Sequence, residues 1–147
     1  MTSDIIIRKI EDDETDNALC LVWKVFLEFE APDYTKEGVD EFYKSIHDDN
    51  YLSKLSMYGA YIQEELVGVI ATRNEGTHIA LFFVDSRYQR QGIGKKLFGF
   101  VKDKNTTGYF KVNSSPYAVG IYNRLGFKEV EKEHVVNGLR FVPMERQ

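Results

Sequence analysis

A glycine-containing segment in the middle of the chain carries residue types that bind phosphate. Residues 89–95 read Gln-Arg-Gln-Gly-Ile-Gly-Lys and lie between an apolar run and a helical pattern. Glycine lets the backbone approach a ligand closely, and the first N–H groups of a helix are unpaired and favour an anion. Arg90 and Lys95 add positive charge. The segment therefore predicts a site for a di- or polyphosphate.

Two nucleotide-binding motifs match this segment poorly. A P-loop requires Gly-x-x-x-x-Gly-Lys-Ser/Thr, which the sequence lacks. A dinucleotide fingerprint requires a third small residue where Leu97 stands, and an acidic residue about 20 positions on, near Lys111 and Asn113. An ATP site is therefore disfavoured. A glycine loop with solvated lysines and no ligand remains the alternative.

Two segments of the chain together carry a longer and more specific pattern. Gln89, Gly92 and Gly94 match Gln/Arg-x-x-Gly-x-Gly/Ala, and residues 112–127 end in Tyr-x-x-x-Gly-Phe. The first pattern resembles the coenzyme A signature of the GNAT superfamily of N-acetyltransferases, and the second resembles that family's later motif. The order of predicted elements is also similar, so the resemblance covers essentially the whole chain.

The resemblance implies that acetyl-coenzyme A is the cosubstrate and lies where two strands of the sheet splay apart. A backbone N–H at the strand end would polarise the thioester carbonyl. The family often has asparagine where Ser115 stands here, so that contact is expected from Asn113 or Ser115. The implied cofactor-binding residues are Phe82, Phe83, Val84, Gln89, Arg90, Gln91, Gly92, Ile93, Gly94, Lys95, Asn113, Ser115 and Tyr122.

Three residues are candidates for proton transfer. The resemblance implies that Tyr122 donates a proton to the departing thiolate, although its spacing with apolar neighbours equally predicts a core residue. An amine must lose a proton before it attacks. His78 is one candidate base because its reference pKa is near 6.5, and Glu30 is another because it follows the first helix, on the expected acceptor side. A chain of water molecules is the third possibility.

The acceptor is suggested by residues 29–34, Phe-Glu-Ala-Pro-Asp-Tyr. Two carboxylates among two aromatic rings suit a cationic amine through charge pairing and cation–π contact. We hypothesise a small polyamine-like or aminated molecule, or the amine of a lysine side chain or peptide. No metal site is expected, because the three histidines are scattered and one cysteine adds no ligand set.

The elements that would position these residues follow from the hydrophobic spacing. Strands are predicted at 5–10, 57–62, 66–72, 78–84, 109–112, 127–136 and 139–144. Helices are predicted after residue 11 up to Pro32, from a Thr35 cap to about residue 47, over 92–104, and from a Ser114 or Ser115 cap with Pro116 at its first position to Gly126. Leu27 and the lone Cys20 are expected on the buried side of the first helix.

The order is therefore β-α-α-β-β-β-α-β-α-β-β, which predicts an α/β fold with a mixed, mainly antiparallel sheet flanked by helices, as in the GNAT fold. With 147 residues, a single N-acetyltransferase domain over 1–147 is expected. A net charge of −4 disfavours nucleic acid as a partner.

The remaining expectations concern location and assembly. No apolar run approaches the roughly 20 residues of a membrane span, and the first residues show no signal peptide. A membrane is therefore not an expected partner, and a cytoplasmic location is the default. Members of the family are often dimers, so a homodimer is one expected assembly. A non-catalytic acyl-coenzyme A sensor is the alternative function.

Overall fold

The computed structural model describes residues 4–147, which form one mixed sheet with helices on both faces. Residues 1–3, on which the expectation of no signal peptide partly depends, lie outside this range. The strands are β1 (Ile5–Lys9), β2 (Ser56–Ile62), β3 (Glu65–Arg73), β4 (His78–Val84), β5 (Phe110–Ser114), β6 (Lys128–Glu129), β7 (His134–Val136) and β8 (Leu139–Arg146). The helices are α1 (Thr15–Phe29), α2 (Lys36–Ile46), α3 (Asp49–Ser53), α4 (Ile93–Lys104) and α5 (Val119–Arg124).

The strand order is β1-β2-β3-β4-β5-β8-β6, with β7 paired to β8 beside this path. Every pair in the described chain is antiparallel except β4 and β5, which run parallel. This confirms the predicted fold class of a mixed, mainly antiparallel sheet between helices. Among residues 4–147, no helix combines the length and apolar character that crossing a membrane requires.

The parallel pair is short, and this opens the sheet. β4 and β5 pair only at His78 with Lys111 and at Ile79 with Val112. Both strands continue beyond these positions, to Val84 and Ser114, without pairing to each other. The sheet therefore divides into two halves, with a wedge between the ends of β4 and β5.

A β-bulge in β4 stands beside this wedge. Ile79 pairs with Thr72 and Leu81 pairs with Ala71, so Ala80 is an extra residue on β4. A bulge reverses the side-chain alternation of its strand. Accordingly, Ile79 lies in the core on the α4 face, whereas Leu81 and Phe83 lie in the core on the α1 face.

The helices cover the two faces with separate hydrophobic cores. α1 contributes Ala18, Val22 and Phe26, which are fully buried, to the core on one face. α4 contributes Ile93, Leu97, Phe98 and Val101 to the core on the other. Thr35 caps α2 as predicted, because its side chain accepts a hydrogen bond from the Gly38 N–H.

Two side chains of α1 that the sequence predicted to be buried are exposed. Cys20 is exposed, and Leu27 is 44% exposed. At about 100° per residue, the buried stripe centres on Ala18, Val22 and Phe26, and positions 20 and 27 fall on the opposite side of the helix. A single apolar side chain within a run of apolar residues therefore gave a false prediction of burial.

The C-terminal half differs from the predicted elements in two places. The helix expected to start at Pro116 starts at Val119, and Pro116 lies in a turn in which Ser115 Oγ accepts from the Ala118 N–H. The single strand expected over 127–136 is divided into β6 and β7. In addition, Asp48 caps the short helix α3, which the sequence pattern did not predict.

Candidate active site

The phosphate-binding segment is a tight connection between β4 and α4. Arg90 and Gly92 have left-handed backbone conformations, with φ of 65° and 82°, and glycine adopts this conformation without steric cost. The Gln89 side-chain amide donates to the Val84 carbonyl over 3.1 Å, and this ties the segment to the strand end. The first N–H groups of α4 follow directly after Gly92.

A cleft of about 370 Å³ lies beside this segment and the wedge in the sheet. Its cationic side chains are Arg90, Lys95 and Arg124, and no acidic side chain within residues 4–147 forms an ion pair with any of them. The positive N-terminal end of α4 and these cations make the cleft suited to an anion. It is lined by Val25, Phe29, Glu30, Phe82, Phe83, Val84, Tyr88, Gln89, Arg90, Gly92, Ile93, Gly94, Lys95, Tyr117, Ala118, Ile121, Tyr122 and Arg124.

The backbone of β4 presents free groups to this cleft. The Asp85 N–H donates to the Val67 carbonyl of β3 over 2.9 Å, and Val84 pairs with Gly68 and Phe82 with Ile70. Because hydrogen-bonded and non-hydrogen-bonded pairs alternate in an antiparallel ladder, the N–H groups of Phe82 and Val84 point away from β3. On that side β4 has separated from β5, so both N–H groups face the wedge.

A second cavity, of about 260 Å³, lies on the α1 and α2 side of the wedge. We call it the acceptor cavity. Its walls combine aromatic rings with polar and charged side chains drawn from most elements of the fold. It is lined by Phe26, Glu30, Tyr34, Phe42, Ser45, Tyr51, Arg73, His78, Ile79, Ala80, Phe82, Phe83, Val112, Asn113, Ser114, Ser115, Ala118, Tyr122, Leu139, Arg140 and Phe141.

The cleft and the acceptor cavity meet at five residues that line both. These are Glu30, Phe82, Phe83, Ala118 and Tyr122. Two of the three candidate proton-transfer side chains, Glu30 and Tyr122, therefore lie at the boundary between the two spaces. A molecule in the cleft and another in the cavity would meet there, beside the free backbone N–H groups of β4.

Tyr122 is almost fully buried and packs against Phe82 and Phe127, with ring centroids 5.9 and 5.3 Å away. Burial, followed by the negative charge of Glu30, raises the pKa of Tyr122 well above its ordinary value of 10. Its hydroxyl has no hydrogen-bond partner within residues 4–147. Tyr122 thus combines both sequence interpretations: it is a core residue whose protonated hydroxyl is available to a ligand.

Glu30 occupies the end of α1, where its N–H donates to the Phe26 carbonyl over 2.9 Å. Burial raises the pKa of Glu30 from its ordinary value of 4.5 to about 7. A hydrogen bond from Ser115 acts to lower the pKa, and the nearby Asp33 carboxylate acts to raise it. A carboxyl group with a pKa near neutral is suited to accept and release protons at physiological pH.

His78 lies in the acceptor cavity, but its surroundings oppose a role as a base. Burial, then the positive charges of Arg73 and Lys111, lower its pKa from 6.5 to about 4. Arg73 Nη2 donates to His78 Nε2 over 3.3 Å, so the proton of the neutral ring is on Nδ1, because a guanidinium cannot accept. Of the two candidate bases, Glu30 therefore has the pKa closer to neutrality.

Three of the predicted cofactor contacts lie outside the cleft. Asn113 and Ser115 line the acceptor cavity, and the Ser115 hydroxyl faces the Ala118 N–H and Glu30. Gln91 is exposed and lines neither space. Asn113 and Ser115 lie on the wall of the acceptor cavity because β5 turns away from β4 before it reaches Asn113. Their contact with the cofactor stays a prediction.

Several lining residues were not predicted from the sequence. Arg124 lines the cleft from α5, and Tyr117 lines it from the turn before α5. Both lie within the second motif, so the charged and aromatic residues of that motif could have indicated them. Arg73 and Tyr51 line the acceptor cavity from β3 and α3, and no local pattern marks them. Asp33, expected to face an amine, does not line the cavity.

No group of three or more His, Cys, Asp or Glu side chains within residues 4–147 is arranged to hold a metal ion. The boundary between the cleft and the acceptor cavity presents several polar groups of the described chain. These are a partly buried carboxyl group, a tyrosine hydroxyl and two backbone N–H groups directed into the wedge.

Comparison with known proteins agrees with this geometry. A family model described as an acetyltransferase (GNAT) domain matches residues 30–147. No curated protein matches the sequence significantly. Among solved structures, a GCN5-related N-acetyltransferase from Rhodopseudomonas palustris superposes with a TM-score of 0.79 at 18% identity, covering 99% of this chain and 98% of that one.

Two further structures contain coenzyme A. The PaiA N-acetyltransferase from Thermoplasma acidophilum in complex with coenzyme A has a TM-score of 0.77 at 18% identity, and the match covers 98% of this chain and 99% of that one. An aminoglycoside 6′-N-acetyltransferase complexed with coenzyme A has a TM-score of 0.65 at 16% identity, with 96% of each chain covered. At these identities the likeness shows a shared fold.

Proposed function

The chain belongs to the GNAT family of acetyltransferases, and we propose that it transfers an acetyl group from acetyl-coenzyme A to a primary amine by direct attack in a ternary complex. The observation that carries this proposal is the meeting of the cationic cleft and the acceptor cavity at Glu30 and Tyr122. One space would hold the donor and the other the amine. The whole chain, 1–147, would act as one domain.

The cleft supports acetyl-coenzyme A as the donor. The N–H groups at the start of α4 and the side chains of Arg90, Lys95 and Arg124 would bind the pyrophosphate. Phe82, Phe83 and Val84 would flank the pantetheine arm and the acetyl group along the open edge of β4. The two similar structures in complex with coenzyme A give this assignment further support.

The thioester carbonyl would lie against the free edge of β4. The N–H groups of Phe82 and Val84 both face the wedge, and one of them would donate to the carbonyl oxygen. Such a donor stabilises the negative charge that develops on oxygen during attack, because it is already oriented. Removing one donor of this kind typically lowers kcat by about 10²- to 10³-fold.

Glu30 would take the proton that leaves the amine. An alkylammonium must lose one proton before its nitrogen attacks the carbonyl carbon, and a base with a pKa near 7 is partly ionised and partly protonated at neutral pH. The nitrogen then forms the C–N bond, and the C–S bond breaks with its electron pair on sulfur. The nitrogen loses its second proton to solvent as the amide forms.

Tyr122 would donate a hydrogen bond, and in the limit its proton, to the departing thiolate. The raised pKa of Tyr122 keeps the hydroxyl protonated and makes full transfer to a thiolate of pKa near 8.5 unfavourable. Sharing of the proton as charge develops on sulfur is sufficient. We therefore expect the tyrosine to contribute near the lower end of the roughly 10²- to 10⁴-fold range of general acids.

The test is release of the coenzyme A thiol on incubation with acetyl-coenzyme A and a panel of amines. Release that requires an amine and falls in both Tyr122→Phe and Glu30→Gln is the expected result. Asp33→Asn is the matched control for Glu30→Gln, because Asp33 is an exposed carboxylate nearby that does not line the cavity. Loss in this control and not in Glu30→Gln would contradict the assignment.

The alternative is a non-catalytic acyl-coenzyme A sensor. It would bind acetyl-coenzyme A, detected as a rise in Tm with ligand concentration, without amine-dependent thiol release. The presence of Glu30 with a pKa near 7 and of Tyr122 at one boundary favours the enzyme. A cytoplasmic location, the absence of nucleic acid and membrane partners, and a homodimer remain predictions from the sequence.

A further inference from the structure

We propose that the amine accepted by this chain also carries a carboxylate, and that Arg73 and Tyr51 in the acceptor cavity bind it. This proposal rests on the proposed function, because it assigns a substrate class to the same cavity. It changes the expectation from the sequence, which was a purely cationic acceptor such as a polyamine. Four observations on the described residues carry the proposal.

The first observation is that Arg73 is a cation without a carboxylate partner. It lines the cavity at the end of β3 and is partly buried, and within residues 4–147 no acidic side chain lies within 4.0 Å of its guanidinium. Glu41 and Asp48 line an outer groove together with Arg73, but neither forms an ion pair with it. Its hydrogen bond to His78 uses one of five N–H donors.

The second observation is the contrast with Arg140, the other arginine that lines the cavity. Arg140 forms two hydrogen bonds to the Glu133 carboxylate, at 3.0 and 3.1 Å, and a third to the Asp33 carbonyl at 3.0 Å. Its charge is therefore compensated by the protein and its donors hold the wall together. Apart from its hydrogen bond to His78, the Arg73 guanidinium has no such partner within residues 4–147.

The third observation concerns the surroundings of Arg73. Tyr51 lines the same part of the cavity, and its hydroxyl has no hydrogen-bond partner within residues 4–147. Burial raises the pKa of Tyr51, so the hydroxyl remains a donor. His78 stays neutral beside Arg73 and accepts from it, so it orients the guanidinium without cancelling its charge. Apart from the hydrogen bond to His78, the side-chain donors of Arg73 and Tyr51 have no hydrogen-bond partner within residues 4–147.

The fourth observation is the separation of charges along β4. Arg73 pairs with His78 at the start of this strand, whereas Glu30 lies where the cavity meets the cleft, near Phe82. The residues opposite His78 and Phe82 on β3, Arg73 and Ile70, are three positions apart, which is about 10 Å at roughly 3.3 Å per residue. An acceptor of about this length whose ammonium is near Glu30 would place its other end at Arg73. A second ammonium would be repelled there, and a carboxylate would be attracted.

A carboxylate fits these groups better than a phosphate. One guanidinium balances a single negative charge and matches the planar carboxylate with two parallel hydrogen bonds. A phosphate near neutral pH carries close to two negative charges, and the Glu30 carboxylate in the same cavity would add repulsion. The cavity of about 260 Å³ also lies just below the roughly 300–1,000 Å³ of pockets for drug-sized ligands, which indicates a small acceptor.

The experiment compares matched amines with the full chain and saturating acetyl-coenzyme A. The amines are glycine, β-alanine, 4-aminobutyrate and 6-aminohexanoate, each with its neutral carboxamide, and 1,4-diaminobutane. We expect at least one amino acid to have a kcat/KM about 10- to 100-fold above its carboxamide. Arg73→Met should remove this preference, mainly by raising KM for the amino acid, and should lower kcat/KM far more for the amino acid than for its carboxamide. Lys54→Met, an exposed cation of the outer groove, is the matched control and should behave as the wild type.

Two results of the turnover assay would overturn the proposal. One is equal turnover of amino acids, carboxamides and the diamine. The other is an equal loss for all amines in Arg73→Met, which would indicate a merely structural role. Calorimetric binding of the same amino acids in the presence of coenzyme A separates this proposal from the proposed function. Binding that requires Arg73 without any turnover would support the carboxylate site and contradict acetyl transfer, whereas no binding and no turnover would overturn the site.

Discussion

Replacing Glu30 by glutamine should stabilise the protein at pH 8 while it removes the proposed base. The folded state holds the pKa of Glu30 near 7, against an ordinary value of 4.5. The folded carboxyl therefore binds its proton more tightly than the unfolded one, and the free energy of unfolding of the wild type falls as pH rises from about 4.5 to 7. At about 1.4 kcal/mol per pH unit, the loss amounts to about 3 kcal/mol at pH 8 and about 1 kcal/mol at pH 5. Glutamine keeps the shape and carries no charge, so the variant avoids this loss.

The assay is urea unfolding at pH 5 and pH 8 without acetyl-coenzyme A, followed by the fluorescence of Trp23, the one tryptophan of the sequence. Trp23 packs on Phe26 with ring centroids 5.6 Å apart, so its environment reports loss of the α1 core. The quantity to compare is the difference between variant and wild type. His78 has the opposite dependence, because its lowered pKa makes the free energy of unfolding rise with pH between about 4 and 6.5. The difference cancels this contribution.

Glu28→Gln provides the matched control, because Glu28 is an exposed carboxylate of the same helix. A surface substitution of this kind is expected to change stability by less than about 0.5 kcal/mol at both pH values. The reasoning would be refuted if Glu30→Gln were less stable than the wild type at pH 8, or if its effect were the same at both pH values. Either result would mean that Glu30 is solvated and has no raised pKa.

Further predictions test the acid, the hairpin and the corrected helix face. Tyr122→Phe should lower kcat about 10²-fold with little change in KM for acetyl-coenzyme A, measured by thiol release, and an unchanged kcat would remove the tyrosine from the mechanism. Gly138→Ala should cost at least about 2 kcal/mol in urea unfolding, because its φ is +80° and an added Cβ would lie 2.5 Å from the Gly38 nitrogen; a neutral result would contradict this close approach. Cys20→Ser should change stability by less than about 0.5 kcal/mol, and the native thiol should react at once with a disulfide reagent, since slow labelling would mean that Cys20 is buried after all.

Much of the fold could be predicted from local signals. β4 has the predicted bounds, α4 starts one residue later than predicted, and Asn137-Gly138 forms the turn between β7 and β8 with φ of 52° and 80°. The predicted strand over 127–136 is interrupted where the Val130 N–H donates to the Pro143 carbonyl. Pro143 of β8 has no N–H to return, so the ladder ends there. This interruption depends on which strand becomes the neighbour, which local periodicity does not encode.

The candidate site likewise has one part that local sequence signals predict and one part that they do not. The cleft is built largely from two contiguous motifs, and the sequence therefore predicted most of its lining. The acceptor cavity is assembled from side chains that are distant in the chain, such as Tyr51, Arg73 and Phe141. Their types are ordinary and their spacing carries no signal, because only the strand order brings them together. The burial that raises the pKa of Glu30 also depends on contacts between distant parts of the chain. The sequence therefore identified Glu30 as a candidate but did not predict its raised pKa.

One extra residue in β4 connects the fold to the proposed chemistry. Before Ala80, the Thr77 carbonyl accepts from the Lys111 N–H of β5, so the odd-numbered positions direct their backbone groups to β5. After Ala80, the Asp85 N–H donates to β3, so it is the even-numbered Phe82 and Val84 whose N–H groups face the wedge. Without the bulge, these two N–H groups would point into the ladder with β3 and could not reach a thioester. Ala80 is neither glycine nor proline, so its residue type gives no indication of a bulge. The bulge on which carbonyl polarisation depends can therefore be recognised only from the register of β3 and β4.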